Sequence, residues 1–346
     1  MNKLTKVGCS ALCGSLAAIS AAQAGELAVT GGADLTFTSL GQEVTGNPFG
    51  MASAVTFKGS GELDNGWTYG LTIAHGDADA YSASNIDIVM GGLGSINFNQ
   101  GNSGNGIAAY DNVMPTAWEE AHGAGLSGGV KTVLGVGSSD NVQWSLPTTL
   151  GTTIKVAYAF DVGTSDTADK VSASANNNTG RGLDATIKIN PSLGTEILSG
   201  LNLYAGASTI DVYDNANANE DKYEGVGAVT YALGPVEVGA MWSALYDGDE
   251  TNQDYHTYKN HGFGVAFNVN DDFSVSYSEY HSRKAGYKQA DAQSGPLTRK
   301  VEVTSWQAAY TMGGASFRVA DVKADNAGFS AGENNDATVV SLGLAF

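Results

Sequence analysis

The sequence predicts an all-β protein: a 16-stranded antiparallel transmembrane β-barrel. Three observations carry that expectation. Apolar and polar residues alternate with period 2 along most of the chain, as a strand between two unlike media requires. The connections between those segments are alternately short and long. Only 15% of the 346 residues are charged, against about 25% in an ordinary soluble domain, although the chain is acidic, with a formal net charge of -19.

The chain begins with a processing signal. Lys3 and Lys6 precede a small-apolar run, Val7 to Ala22, and Ala22-Gln23-Ala24 supplies an A-x-A cleavage site, so residues 1–24 read as a secretory signal peptide removed before Gly25. A lipoprotein anchor at Cys9 or Cys13 is the rival, disfavoured by Leu12 and Lys6 at positions that want other residues. Cleavage leaves 322 of the 346 residues and removes both cysteines, which excludes disulfides, thiol chemistry and Cys-based metal sites. It removes two lysines and no acid, taking the net charge from -19 to -21. So acidic a chain does not suit nucleic acid. Nor does any stretch of the mature chain approach the ~20 apolar residues of a membrane helix.

The barrel is then residues 25–346. Its first segment sets Leu27, Val29, Gly31, Ala33, Leu35 and Phe37 against Glu26, Ala28, Thr30, Gly32, Asp34 and Thr36. A second runs from Met51 to Leu63, and Leu63-Asp64-Asn65-Gly66-Trp67 makes a hairpin, with Asn-Gly expected to supply the positive φ values. Trp67 opens a third. Further segments start near Asn85, Ser95, Asn141, Thr152, Gly182, Leu201, Lys222, Val236, Asn260, Phe273, Val301, Ala315 and Ala337. Turns such as Gly92-Gly94, Gly234-Pro235 and Gly313-Gly314 are short. Ser39-Gly50, Asn102-Asp140, Asp161-Gly180 and Asp247-Lys259 belong to the long, polar set. An apolar band about 25 Å tall crossed at 45° needs roughly 11 residues per strand; arithmetic alone also allows twelve or eighteen strands.

Charge supports a lipid-facing exterior. At strand centres the apolar face is empty of charge, and the polar face carries Asp34, Lys58, Asp87, Lys155, Asp184, Lys188, Glu237 and Arg318. Of these, Asp34, Lys58, Asp87, Lys155, Lys188 and Arg318 are the candidate wall residues of the lumen. Glu279, Glu302 and Asp321 break the pattern near strand ends. Trp67, Tyr69, Trp144, Phe160, Tyr231, Trp242, Tyr246, Phe273 and Tyr310 read as two interfacial girdles. At the end of the chain Val340, Leu342, Leu344 and Phe346 share one face.

The signal peptide, the Leu63–Trp67 turn, the Gly91-Gly92-Leu93-Gly94-Ser95-Ile96-Asn97-Phe98 hairpin and the terminal Phe346 together resemble the general porins of Gram-negative bacteria, closest to the alphaproteobacterial, Rhodobacter-like kind. The resemblance covers the whole chain. It implies a homotrimer of sixteen-stranded barrels in the outer membrane, each with its own water-filled channel for small hydrophilic solutes and ions. It further implies a third long loop folded into the pore, and Phe346 as the signal read during barrel assembly. The longest loop here, Asn102 to Asp140, is the third. It offers Asp111, Glu119 and Glu120 as carboxylates at the constriction, which favour cations. General porins often oppose such acids with early arginines; this chain has no Arg before Arg181. Cation preference is therefore expected.

Other functions fit less well. Asp247, Asp249 and Glu250 lie in an acid-rich loop suited to weak Ca²⁺ binding or to bridging lipopolysaccharide phosphates, but a solvated acidic rim explains them as well. Gly123–Gly128 has the glycine spacing of a phosphate loop, without the adjoining Gly-Lys-Ser/Thr. The five histidines contain no H-E-x-x-H, so no zinc site is expected. A substrate-selective channel, a barrel hydrolase and a non-conducting structural or adhesion barrel are the remaining alternatives. No serine lies in G-x-S-x-G, no plug precedes the first strand, and no cofactor is called for.

Overall fold

The computed structural model describes residues 26–41, 47–77, 79–101, 104–137, 139–163, 179–191, 198–212, 221–246, 257–285 and 300–346. The signal segment and the Asp247, Asp249 and Glu250 loop lie outside them. The strands are β1 Glu26–Leu40, β2 Phe49–Glu62, β3 Thr68–Gly76, β4 Asp79–Val89, β5 Ser95–Gln100, β6 Asn141–Ser145, β7 Thr152–Ala159 and β8 Thr179–Ile189. They continue as β9 Leu201–Val212, β10 Lys222–Leu233, β11 Val236–Tyr246, β12 Thr257–Asn268, β13 Phe273–Ala285, β14 Val301–Met312, β15 Ala315–Asp325 and β16 Asn335–Ala345.

Each strand pairs antiparallel with its neighbours in sequence, and β1 pairs with β16, closing the barrel. Closure leaves no free edge for another chain to pair with. The seam runs from Gly32↔Ala345 to Leu40↔Ala337. Phe346 extends it: its N–H donates to the Gly31 carbonyl at 2.9 Å, and the Gly31 N–H returns to Phe346 at 3.0 Å.

Strand starts expected at Met51, Trp67, Gly182, Asn260 and Ala337 are observed at Phe49, Thr68, Thr179, Thr257 and Asn335. The largest difference is β4, expected from Asn85 and observed from Asp79. Its first residues lack alternation, and the pairing with β3 is irregular between Ala74 and Gly76, so period 2 fails there. In the β2–β3 turn only Gly66 has a positive φ, 81°. Asn65 instead accepts the Trp67 N–H on its side chain at 3.1 Å, the Asx device that also favours asparagine in turns.

The two faces contact different media. Outward positions are apolar and exposed, among them Leu27, Leu35, Phe37, Met51, Phe57, Ile86, Trp144, Phe263 and Leu342. A belt of that extent would be untenable in water and suits lipid. Aromatic residues rim it at both ends: Tyr69, Trp144, Tyr231, Phe273 and Tyr310 toward the short turns, Tyr223, Trp242, Tyr246 and Trp306 toward the long loops.

The inner face is uneven, and this positions the site. Along β1–β3 the only buried residue is Gly32. From β8 to β16 every second residue is buried or nearly so, because the long β5–β6 connection folds inside and lies against that wall. Ile107, Tyr110, Met114, Ala121, Ala124 and Val133 of the loop pack on Val226, Met241, Tyr280, Val301, Val303 and Val322 of β10–β15. The remaining lumen lies between the loop and the early strands.

Candidate pore constriction

The loop is held by polar side chains that the barrel wall aims inward. Asp184 on β8, with no exposed surface, accepts N–H bonds from Ile107 at 2.8 Å and Val136 at 3.1 Å. One carboxylate thus ties the two stems of the loop together. Glu224 on β10 accepts from Leu134 at 2.6 Å and Gly135 at 2.8 Å. Asn260 on β12 donates to the Lys131 carbonyl at 2.7 Å, and Ser276 on β13 accepts from Ala117 at 2.8 Å. Gln307 on β14 grips the tip: its Oε1 accepts from Trp118 at 3.1 Å and Glu119 at 3.0 Å, and its Nε2 donates to the Glu119 carbonyl at 2.5 Å. Irregular backbone inside a membrane protein must find its hydrogen bonds in protein or water, and these contacts meet that need.

The three candidate acids of the loop are not equivalent. Asp111 and Glu119 are partly exposed. Burial pushes the Asp111 carboxyl up to about 6. Burial also raises Glu119, while the Arg318 guanidinium draws it down and Asp34 pushes it up. Glu120 departs from the expectation that it faces the channel. It is 3% exposed, and its Oε1 accepts the Met114 N–H at 3.1 Å. Burial lifts its carboxyl to about 8, with Asp111 and Glu119 adding to the rise. At neutral pH Glu120 is mostly protonated and fastens the loop from within. Its neighbour His122 lies 3.8 Å away and packs on the Tyr280 ring with centroids 4.5 Å apart. Burial lowers His122 to about 4, so it is neutral at the same pH.

Strand register places all six candidate wall residues on the inner face: Asp34 opposite Ala52, Lys58 opposite Ala28, Asp87 opposite Gly70, Lys155 opposite Thr186, Lys188 opposite Tyr204, and Arg318 opposite Ser341. They do not form one cluster. Lys58, Asp87, Lys155 and Lys188 sit toward the short-turn end of their strands. Asp87 accepts the Asn97 side-chain amide at 2.8 Å, and Lys188 lies over the Tyr204 ring, 5.2 Å from its centroid. Asp34 and Arg318 form an ion pair that reaches across β16. Gly343 lies between them: a Cβ there would collide with both the guanidinium and the carboxylate. Arg318 also faces the Trp118 ring at 5.2 Å, so the loop tip rests on this pair.

The anchors Asp184, Glu224 and Gln307 carry no local signature. Asp184 was legible only as a polar-face charge, because its contacts lie 77 and 48 residues away in sequence.

A closed barrel with a lipid-facing exterior, a polar lumen and an inserted loop pinned against one wall defines a channel of the outer membrane. A family profile described as Gram-negative porin matches residues 8–346, and the chain belongs to that family. Solved structures share the fold. An anion-selective porin from Comamonas acidovorans superposes with TM-score 0.65 at 14% identity, covering 93% of this chain and all of that one. OmpF of Salmonella typhi, in complex with daunomycin, gives 0.66 at 11% identity, covering 94% and 98%. A multiply substituted porin of Rh. blastica gives 0.57 at 13%, covering 93% and 100%. No curated protein matches the chain in sequence.

Proposed function

We propose that this porin is a passive, cation-preferring diffusion channel for small hydrophilic solutes and ions. The observation that carries the reading is the charge balance at the narrowing. Arg318 is buried and already paired with Asp34, so it neutralises one acid and offers little positive charge to the lumen. Asp111 then remains a partly exposed carboxylate of the inserted loop with no basic partner acting on it, and Glu119 a second one that Arg318 offsets only in part. Carboxylates at a constriction concentrate cations and repel anions. Lys58, Lys155 and Lys188 stand nearer the short-turn mouth and bias it the other way, without meeting the loop acids in an ion pair among the described residues. The reversal potential in a KCl gradient tests the reading: cation selectivity is expected, and anion selectivity refutes it.

Flow needs neither cofactor nor energy source, and no enzymatic step is assigned. By the family resemblance the assembly is a homotrimer in contact with outer-membrane lipid and lipopolysaccharide, residues 1–24 are removed on export, and Phe346 serves as the assembly signal. Asp247, Asp249 and Glu250, outside the described residues, are proposed on their acidity alone to attract Ca²⁺ weakly. Chemical cross-linking of the detergent-solubilised protein, which a homotrimer should trap as a three-chain species, tests the assembly.

A further inference from the structure

Glu279 and Glu302, legible in the sequence only as exceptions to its pattern, interrupt the apolar exterior together with His281. Register explains how they meet. Glu279 and His281 are two residues apart on β13, hence on one face, and His281 stands directly opposite Glu302 on β14. All three point away from the lumen: Glu302 at the long-loop end of β14, His281 opposite it, and Glu279 midway along β13, opposite Phe263 of β12. They lie beyond the Tyr277–Trp306 ring pair, whose centroids are 4.7 Å apart.

Their donor atoms converge. His281 Nε2 is 2.6 Å from a Glu279 oxygen and 3.4 Å from a Glu302 oxygen, and the three ligand atoms all lie within 4.8 Å of one another. The imidazole nitrogen is shielded from solvent yet meets no partner in hydrogen-bond alignment. Three electron-rich atoms drawn together at the barrel surface call for a cation at their centre. Around a tetrahedral zinc, ligands at about 2.0–2.1 Å stand about 3.3 Å from one another. The His281–Glu302 separation already suits this, and Glu279 needs only a small side-chain rotation. The Tyr277 hydroxyl donates to the other Glu279 oxygen at 3.1 Å, fixing that carboxylate as outer partners fix metal ligands. Lys300 pairs with Glu302 and is the natural competitor for the position.

We propose that Glu279, His281 and Glu302 form a binding site for a divalent transition cation of the zinc type on the outer rim of the barrel. One imidazole with two carboxylates selects such ions over Ca²⁺ or Mg²⁺, which take oxygen ligands. Chain spacing hides the site because two strands contribute the ligands, so a search for H-E-x-x-H passes over it.

The test is zinc titration of the full-length, detergent-solubilised protein against a chromophoric chelator, with folding of every variant checked by heat-modifiable gel mobility. Saturation at one ion per chain is expected. His281→Gln and Glu302→Gln should each weaken binding at least about tenfold, and Lys300→Met should tighten it. His261→Gln, which alters the residue opposite His281 on β12, should weaken binding far less than His281→Gln, since it offers no atom to the ligand cluster. The proposal is overturned if wild-type binding does not saturate below about 1 mM, a free energy of only about -4 kcal/mol. It is equally overturned if His281→Gln and Glu302→Gln bind as wild type, if Lys300→Met weakens binding, or if His261→Gln weakens it as much as His281→Gln.

Discussion

Replacing Gln307 by alanine should release the tip of the inserted loop while leaving the barrel intact. The Gln307 backbone stays in the ladder, paired with Ser276 and Ala320. What is lost is the grip of its side chain on the Trp118 and Glu119 N–H groups and on the Glu119 carbonyl. At about 0.5–1.5 kcal/mol net per hydrogen bond, three bonds contribute about 1.5–4.5 kcal/mol to local closure. Gln307 is buried against the loop, but Trp118 and Glu119 are partly exposed, so water takes over part of the freed pairing and the lower half of that range applies. A factor of ten per 1.4 kcal/mol then predicts amide exchange at Trp118 and Glu119 faster by about tenfold to a hundredfold. Ladder amides of β13 and β14 should be unchanged. Hydrogen exchange with mass spectrometry reads both, and single-channel recording should show larger, noisier conductance. Unchanged protection at the loop tip would refute the idea that Gln307 holds it. Equal loss across β13 and β14 would refute the separation of loop from barrel.

Three further outcomes follow from the same contacts. Gly343→Ala should force Arg318 and Asp34 apart and expose the guanidinium to the lumen, reducing cation preference in reversal-potential measurements. Glu120, held at about 8 by burial, contributes stability that is fully present below its ordinary value near 4.5 and lost as pH rises through about 8. The thermal midpoint should therefore fall from pH 5 to pH 8 in the wild type and fall less in Glu120→Gln, as circular dichroism melts will show. Deleting Phe346 removes the two hydrogen bonds with Gly31 at the seam and should lower the yield of folded barrel, measured by heat-modifiable gel mobility.

Most of the barrel was legible because each strand separates lipid from water, which imposes period 2 on residues such as Leu27 to Phe37. The turn at Gly66 and the sorting of loops by length were legible for the same local reason. Legibility stopped where a residue answers to something distant in sequence. Val301 and Val303 face the lumen because the loop around Gly128 packs on them; by polarity alone they would be assigned to lipid. Glu120 was grouped with Asp111 and Glu119 because all three are acids of one loop. Only the fold shows that its carboxylate turns back to the Met114 N–H. Asp184 and Gln307, which position the site, looked like ordinary polar wall residues until the loop was seen to end on them.

On the proposed function, acids of the inserted loop, with Arg318 largely taken up by Asp34, set the charge preference of the channel. The pH dependence of the reversal potential is the decisive measurement. Asp111, raised by burial to about 6, is charged above that pH and neutral below it. Cation preference should be high at pH 8, decline through about pH 6, and lose that step in Asp111→Asn. Anion preference at pH 8, or a wild-type profile flat between pH 8 and pH 5, would rule out the loop acids as the source of selectivity.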